Sequence, residues 1–303
     1  MLSCEERFAA YRTLIPDFAA FCAALRTPPV RCLRVNTLRT TPDVVCTLLA
    51  RYGYRATQVP FAPELLLVED LERPGTLPAA LLGYYHPQAL SSALIAHVLA
   101  PQPGERVCDL CAAPGSKTTH LAQLMRNQGL IVANDPFDKR LSLLQNNVKR
   151  LGVCNVITTR YSGQNFPLRC TFDRVLVDAP CSGEGNYRWD ARGRLRGYKP
   201  TPADLPRLQR QLLLRGFDLL RPGGTLVYAT CTYNPAENEA VVQSLLEQRP
   251  AQLEPISLPV PHSPGVRQWH EERYDASLEL CWRLYPHQLN SVGFFVARLR
   301  RRA

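Results

Sequence analysis

ERVCDLCAAPGSKTTHLAQLM, residues 105 to 125, decides the fold. Residues 105–111 read as a short strand, AAPGSKT as a tight turn around Pro114 and Gly115, and TTHLAQLM as a helix. A strand that passes through a glycine turn directly into a helix opens a βα unit, and the downstream chain repeats the pattern. GLIVAND (129–135) is strand-like and PFDKRLSLLQNNVKRLG helical; NVITTRY (155–161) and FDRVLVDAP (172–180) are strands. PRLQRQLLLRGFDLL (206–220) is a helix, and GTLVYATC (224–231) is a strand that precedes helical AENEAVVQSLLEQ. Short strands alternating with crossover helices predict a mostly parallel sheet covered on both faces.

Upstream the character differs. LSCEERFAAYRTLIPDFAAFCAAL (2–25) reads as one or two helices interrupted near Pro16, VRCLRVNTL (30–38) as a strand, PDVVCTLLARYG (42–53) as a helix started by Pro42, and ELLLVED (64–70) as a strand. This predicts a small α+β module over residues 1–83, with the main domain over 84–303. YYHPQALSSALIAHVL (84–99) supplies a helix between them. At the other end, ASLELCWRLYP (276–286) and VGFFVARL (292–299) predict an antiparallel hairpin at the sheet edge. Five mainly parallel strands followed by such a hairpin match a class I methyltransferase sheet better than a symmetric dinucleotide-binding fold.

The 303 residues, 46% apolar, bury a large core without covalent staples. Eleven cysteines scattered along the chain, no secretory leader and no run of about eighteen apolar residues predict a reduced, cytoplasmic protein without a membrane span. Lys plus Arg outnumber Asp plus Glu by 36 to 26, a formal charge of +10, which favours polyanionic partners.

Open parallel sheets bind ligands beyond the carboxyl ends of their strands. Those ends carry AAPGSK, Asp135, Asp178 to Cys181, and Cys231, so one crevice collects them. AAPGSK lacks the full spacing of a dinucleotide or phosphate loop, yet Asp109 and the Gly115 region are placed to position a nucleotide-like cofactor. Asp135 either accepts hydrogen bonds from ribose hydroxyls or caps the following helix. Lys117 either binds a cofactor carboxylate or faces solvent at the helix start. Cys181 and Cys231 both follow strands at the ligand-bearing edge, beside turns that expose them. A zinc site is disfavoured: Cys108 and Cys111 have C-x2-C spacing without a second knuckle, and the six histidines form no short metal motif.

CDLCAAPGSKT, DAPCSGEG and ATCTYNPAENE together resemble the NOL1/NOP2/Sun family of RNA cytosine-5 methyltransferases over about residues 84–300, and RCLRVNTL resembles that family's N-terminal RNA-binding portion. The resemblance implies S-adenosyl-L-methionine as cofactor and methyl transfer to cytosine C5 through a cysteine adduct at C6. Cys231 of the TC motif maps to the nucleophile, Cys181 of the PC motif to the residue that releases product, and Asp178 to the carboxylate that favours an N3-protonated ring. DNA cytosine-5 methyltransferases use the PC cysteine as nucleophile instead, so Cys231 tips the reading toward RNA. Ala112, Ala113, Pro114, Gly115, Ser116 and Lys117 map to the methionine-side loop, Lys117 also to the catalytic set, Asp135 to the ribose-binding acidic position, and Arg140 and Asp178 to the cofactor-binding set. The third strand ends in RYSG, where the family often has Asp before Gly; Ser162 can hydrogen-bond adenine but lacks the carboxylate.

RWDARGRLRGYK (188–199) follows the PC motif with five basic residues against one Asp. It predicts either a phosphate-binding surface with Tyr187 or Trp189 against a base, or a solvated loop whose aromatics pack inward. The expected substrate is structured RNA, ribosomal or transfer, with a flippable cytosine. The expectation is that no long RNA-binding extension follows the final hairpin and that no protein partner is needed. The competing reading is a noncatalytic RNA-binding or assembly protein on the same fold, which has no use for both motif cysteines, Asp178 and the AAPGSK loop together.

Overall fold

The computed structural model describes residues 3–198, 200, 202 and 204–302. Two short helices open it, α1 (Cys4–Arg7) and α2 (Phe18–Ala24), on either side of Pro16. Ser3 and Glu6 cap α1 reciprocally, and the Asp17 side chain accepts the Ala20 N–H at the start of α2. The chain continues through β1 (Arg31–Val35), α3 (Pro42–Arg51), β2 (Ala56–Val59), β3 (Ala62–Val68), α4 (Pro78–Leu81) and β4 (Tyr85–Pro87). The four strands form an antiparallel sheet in the order β2-β3-β1-β4.

Strand β4 departs from the expected helix at 84–99. Tyr85 pairs with Val35 and Pro87 with Leu33, so the N-terminal sheet reaches past residue 83, and helix α5 runs only from Leu90 to Leu99. Pro87 explains the difference: it holds His86 extended and lacks a ladder donor, which an edge strand tolerates.

The second sheet contains β5 (Arg106–Asp109), β6 (Leu130–Asn134), β7 (Val156–Thr159), β8 (Phe172–Asp178), and, beyond the small hairpin of β9 (Arg188–Trp189) and β10 (Leu195–Arg196), β11 (Leu220–Thr230). Helices α6 (Ser116–Leu124), α7 (Asp138–Leu151), α8 (Leu205–Asp218) and α9 (Glu239–Gln248) connect or flank these strands. β12 (Ala251–Leu253), β13 (Ser263–Pro264), the hairpin of β14 (Gln268–Trp269) and β15 (Glu272–Arg273), β16 (Trp282–Leu284) and β17 (Phe294–Arg301) complete the chain. The order is β13-β16-β17-β11-β8-β5-β6-β7, with β12 paired to β17. β7, β6, β5, β8 and β11 are parallel, and β17 runs antiparallel between β11 and β16. The expected hairpin is therefore present, its strand 276–286 shortened to Trp282–Leu284 because residues Ala276–Leu280 form a 3-10 turn.

Period-two alternation divides the core between the sheet faces. Val227 and Ala229 pack with α5 and α6, whereas Leu226 and Tyr228 pack with α8 and α9. Every parallel strand thereby ends at one edge, which carries Asp109, Asn134, Asp178 and Thr230. The N-terminal sheet is bonded onto this domain: buried Arg34 donates to Thr119 Oγ1 at 2.8 Å, and Asn36 Nδ2 donates to the Leu151 carbonyl at 2.8 Å. Among the described residues no helix is long and apolar enough to cross a membrane.

Candidate active site

Cys231 follows the last residue of β11, and Cys181 lies three residues beyond β8. Because those strands are parallel neighbours, in register from Arg174/Thr225 to Asp178/Ala229, the two loops leave the sheet side by side. The sulfurs are 3.4 Å apart. All eleven cysteines are free thiols. Asn186 Nδ2 donates to Cys231 Sγ at 3.2 Å. The bond from Cys181 lowers the Cys231 thiol below its ordinary value, against burial and the Asp178 charge; Lys117 and Asn186 act in the same downward direction. That same bond, and then burial, pushes Cys181 well above its ordinary value. Of the two thiols, Cys231 is therefore the one that ionises first, with Cys181 as the hydrogen-bond donor to it.

Glu237, in the turn after Cys231, joins the two loops. Its Oε2 accepts the Ser182 N–H and the Gln209 amide, each at 2.9 Å, while its carbonyl accepts the Tyr228 hydroxyl at 2.6 Å. Ser182 and Thr232, each one residue past a cysteine, share a hydroxyl bond of 2.6 Å. Thr232 also donates to Glu184 Oε2 at 3.1 Å, and Tyr11 from the N-terminal helices donates to Glu184 Oε1 at 3.2 Å. Glu239 holds buried Arg283 of β16 at 2.7 Å. The carboxylates of PAENE are thus buried hubs. Their sequence signal was only an acid two residues beyond a strand-end Asn-Pro turn.

Lys117 does not take the solvent-facing alternative. Its side chain is 10% exposed, donates to Asp178 Oδ2 at 2.7 Å and stands 5.1 Å from the centre of the Phe294 ring, so it does not face solvent. Ser92, Asp109, Cys111, Ala112, Ala113, Pro114, Ser116, Lys117 and Asp178 line a cleft of about 210 Å³. Asp109 is fully buried; Thr118 donates to its Oδ2 at 2.7 Å, the Cys111 backbone N–H adds a weaker attraction to the carboxylate, and Oδ1 has no hydrogen bond of good geometry among the described residues. Burial pushes Asp109 up to about 7, although the Thr118 bond favours its charged form. Gly115 needs its backbone freedom: φ is +102°, and a Cβ there would lie 2.6 Å from Leu144 Cδ1.

Asp135 lies to the side of that cleft. It is buried, accepts the Phe137 N–H at 3.1 Å two residues ahead of α7, and pairs with Arg140 at 3.2 Å; Arg140 also donates to the Ala113 carbonyl. Asp135 therefore makes an Asx turn that leads into the helix, and Arg140 ties it to the AAPGSK loop. Ser162 sits on the exposed rim beyond β7, and its side chain does not cap the turn that follows.

The basic stretch keeps its charge on the surface but not its aromatics. Tyr187 and Trp189 are buried with Phe8, Tyr11, Phe21, Tyr233 and Tyr285, so neither is available to stack on a base. Arg188 is spent on the carbonyls of Gly185, Tyr187 and Ser291. Asp190 fixes Arg194 at 3.0 Å and Arg196 at 2.8 Å, leaving their side chains 46% and 60% exposed. Lys199 lies outside the described residues.

One cluster had no sequence signal because its members are distant in the chain. Glu64 of β3, His97 of α5 and His120 of α6 bring their ligating atoms together. His97 Nε2 is 2.7 Å and His120 Nε2 3.4 Å from Glu64 Oε1. Donors on one tetrahedral ion with bonds of about 2.0–2.1 Å sit about 3.4 Å apart. The shorter contact is a hydrogen bond, and the set joins the N-terminal sheet to the catalytic domain.

Comparison with known proteins follows this geometry. Residues 96–300 match the family model described as 16S rRNA methyltransferase RsmB/F, and residues 11–72 match an RsmF/B-like, ferredoxin-like domain. The chain is 39% identical to the ribosomal RNA small subunit methyltransferase F of Klebsiella pneumoniae, over 99% of this chain and 64% of that one. It is 37% identical to the human 28S rRNA (cytosine(4447)-C(5))-methyltransferase, over 95% of this chain and 36% of that one. A crystal structure of a methyltransferase homolog from Pyrococcus horikoshii superposes with a TM-score of 0.81 at 35% identity, covering 93% of this chain and 90% of that chain. The chain thus spans less than two thirds of the length of these two curated relatives. With the family model covering the whole parallel sheet and both cysteine loops, the chain belongs to the RsmB/F methyltransferase family.

Proposed function

We propose that this chain transfers a methyl group from S-adenosyl-L-methionine to C5 of a cytosine in structured RNA. The observation that carries the reading is the pair of sulfurs 3.4 Å apart, with Cys231 favoured as thiolate, at the strand edge that also holds the Lys117–Asp178 pair. The cofactor's demands suit the residues present. The cleft along Ala112, Ala113, Pro114, Ser116 and Lys117 ends on the unpartnered Asp109 Oδ1, and a buried acceptor without a bond implies a donor from a ligand or water. Gly115 lets the loop backbone come close, Asp135 and Arg140 flank the loop, and Ser162 lies on the outer rim. When bound, S-adenosyl-L-methionine supplies an electrophilic methyl group.

The protein's part is covalent catalysis. Cys231 Sγ gives an electron pair to C6, and the C5=C6 π pair shifts toward N3, whose protonated form Asp178 favours. C5 of the resulting enamine is then nucleophilic enough to take methyl. Removal of the C5 proton restores the double bond, and the C6–S pair returns to Cys231. Cys181 would take that proton: once Cys231 is bonded to carbon, the hydrogen bond that most strongly holds the Cys181 proton is gone, so its thiol can give that proton to water and then accept the one from C5.

The relatives' names favour ribosomal over transfer RNA as substrate. The N-terminal module, residues 1–83 with β4 added, would guide the RNA, and the Arg194–Arg196 hairpin would meet phosphates beside the reacting base. A noncatalytic RNA clamp would not use the cysteine pair. The test is incubation of the purified chain with ribosomal and transfer RNA and labelled S-adenosylmethionine, followed by mapping of 5-methylcytosine at nucleotide resolution. Methylated cytosine that disappears with Cys231→Ala supports the reading; RNA binding without any 5-methylcytosine in either RNA class overturns it.

A further inference from the structure

The turn after the PC motif delivers a side chain that the resemblance does not assign. Asn186 ends the 3-10 turn Glu184–Asn186, which follows Gly183 in the left-handed conformation at φ +74°. Its amide nitrogen is 3.2 Å from Cys231 Sγ and 3.4 Å from the Gly183 carbonyl oxygen. The second contact fixes the amide orientation, because only the NH2 group can face a carbonyl oxygen, so an N–H is directed at the sulfur.

The turn is clamped in place. Gly185 N–H donates to the Cys231 carbonyl at 2.9 Å, and the Gly185 carbonyl accepts from Gly293 at 3.0 Å. A Cβ at 185 would lie 2.3 Å from the Gly293 oxygen, and one at 197 would lie 2.3 Å from the Asn186 oxygen. Asn186 is thus gripped by backbone on both sides while its side chain remains exposed at the mouth of the cysteine site.

We propose that Asn186 is a further catalytic residue: its Nδ2–H holds Cys231 as a thiolate before addition to the pyrimidine and receives the sulfur again as leaving group. The inference rests on the reading of Cys231 as nucleophile. A thiolate accepts hydrogen bonds far better than a thiol or a thioether, so the donor acts on the free anion and not on the C6 adduct. In the addition, the sulfur lone pair becomes the C6–S bond and the amide loses its anionic partner. In the elimination, the C5 proton goes to the base, its electron pair re-forms C5=C6, and the C6–S pair returns to a sulfur that the amide stabilises. Of the other groups around the sulfur, Lys117 and the Cys181 S–H act in the same direction, while burial and Asp178 oppose them.

The test reads the thiolate without RNA. Iodoacetamide labelling of Cys231 in the full chain is followed by peptide mass spectrometry from about pH 6 to 10 for wild type, Asn186→Ala and Asn186→Asp, with thermal melts to confirm folding. Loss of the donor should slow labelling at neutral pH by about 3- to 10-fold and move the midpoint upward, further for Asp than for Ala. At alkaline pH the limiting rate should equal or exceed that of wild type, because a more basic thiolate is the better nucleophile. Unchanged midpoints overturn the proposal, as does a rate depressed equally at every pH, which marks mere displacement of the loop. A second arm uses RNA carrying 5-fluorocytidine, which cannot lose a proton from C5 and traps the adduct. Trapping on Cys231 that is slower in Asn186→Ala supports the catalytic role, and trapping at an equal rate overturns it. Failure of wild type to trap overturns the proposed function instead, while the labelling profile still decides whether Asn186 controls the thiolate.

Discussion

Lys117 Nζ donates to Asp178 Oδ2 across 2.7 Å, bridging the start of α6 and the end of β8 from below the cysteine pair. The lysine is nearly enclosed and the aspartate about a third exposed, so the carboxylate is the member that a substrate would reach while the ammonium fixes its orientation. Neither group works alone in that arrangement. Lys117→Met and Asp178→Asn should each slow single-turnover methyl transfer on the order of 100-fold. The double variant should be no slower than the worse single, since the pair acts as one unit. Independent, multiplying losses in a labelled-methyl assay would show separate roles.

The cysteines should separate by the stage at which each variant stops. Cys231→Ala removes the nucleophile and should abolish both methyl transfer and the adduct. Cys181→Ala leaves Cys231 able to add and C5 able to accept methyl, but elimination slows, so an enzyme–RNA complex that survives denaturation should accumulate. Denaturing gels with labelled RNA and mass spectrometry of the cross-linked peptide distinguish the two. A native adduct on Cys181, with Cys231→Ala still active, would reverse the assignment.

How much of this was readable follows from how local each signal is. The parallel sheet was legible because β5, β6 and β11 each lie within about thirty residues of the end of the helix that follows, and strand ends define the binding edge wherever the chain goes next. Cys181, Cys231, Asp178 and the AAPGSK loop all sit at such ends. The strand Tyr85–Pro87 was not legible: three residues carry no periodicity, and its partner lies some fifty residues upstream. The Tyr187 and Trp189 burial depends on Phe8 and Phe21 folding back from the N-terminus, and the Glu64, His97 and His120 set on three separate elements. Asn186 carries no signal of its own in the sequence, because only the parallel pairing of β8 with β11 brings it to Cys231.

His86 makes folding sensitive to acid. Its Nδ1 accepts from Arg150 at 2.9 Å while Nε2 meets Ser116 Oγ at 2.8 Å, an arrangement that requires the neutral ring. Burial, then Arg34, Arg150 and His120, lower it from 6.5 to about 3; burial likewise lowers His120 to about 3. The unfolded chain therefore binds protons that the folded chain refuses. Stability is full above pH 6.5 and is lost as pH falls toward 3, by about 1.4 kcal/mol per pH unit for each ring. Urea denaturation between about pH 7 and 5 should show this slope, shallower by about one proton in His86→Gln. An unchanged slope in that variant would assign the protons elsewhere.

The basic hairpin offers the sharpest separation of folding from binding. Trp189 belongs to the aromatic cluster: it is 6% exposed, with its ring centre 6.1 Å from that of Phe8 in an edge-on arrangement, and its backbone N–H donates to the Leu25 carbonyl at 2.9 Å. Trp189→Ala should cost about 3 kcal/mol of stability through the cavity it leaves. At a temperature where the variant remains folded, its RNA affinity should be close to that of wild type. Arg194 and Arg196 behave in the opposite way. They are exposed and, among the described residues, their side chains are anchored to Asp190 alone, so Arg194→Ala with Arg196→Ala should change stability by less than about 1 kcal/mol. If both meet phosphate, the pair should lower the slope of log affinity against log salt by about 1.4 to 1.8, since each neutralised phosphate contributes about 0.7 to 0.9. Calorimetric melts and filter binding across a salt series measure both quantities on the same preparations. A Trp189→Ala protein that stays fully stable yet binds RNA poorly would return that ring to the RNA surface, and an unchanged salt slope in the arginine pair would place the phosphate track elsewhere on the catalytic face.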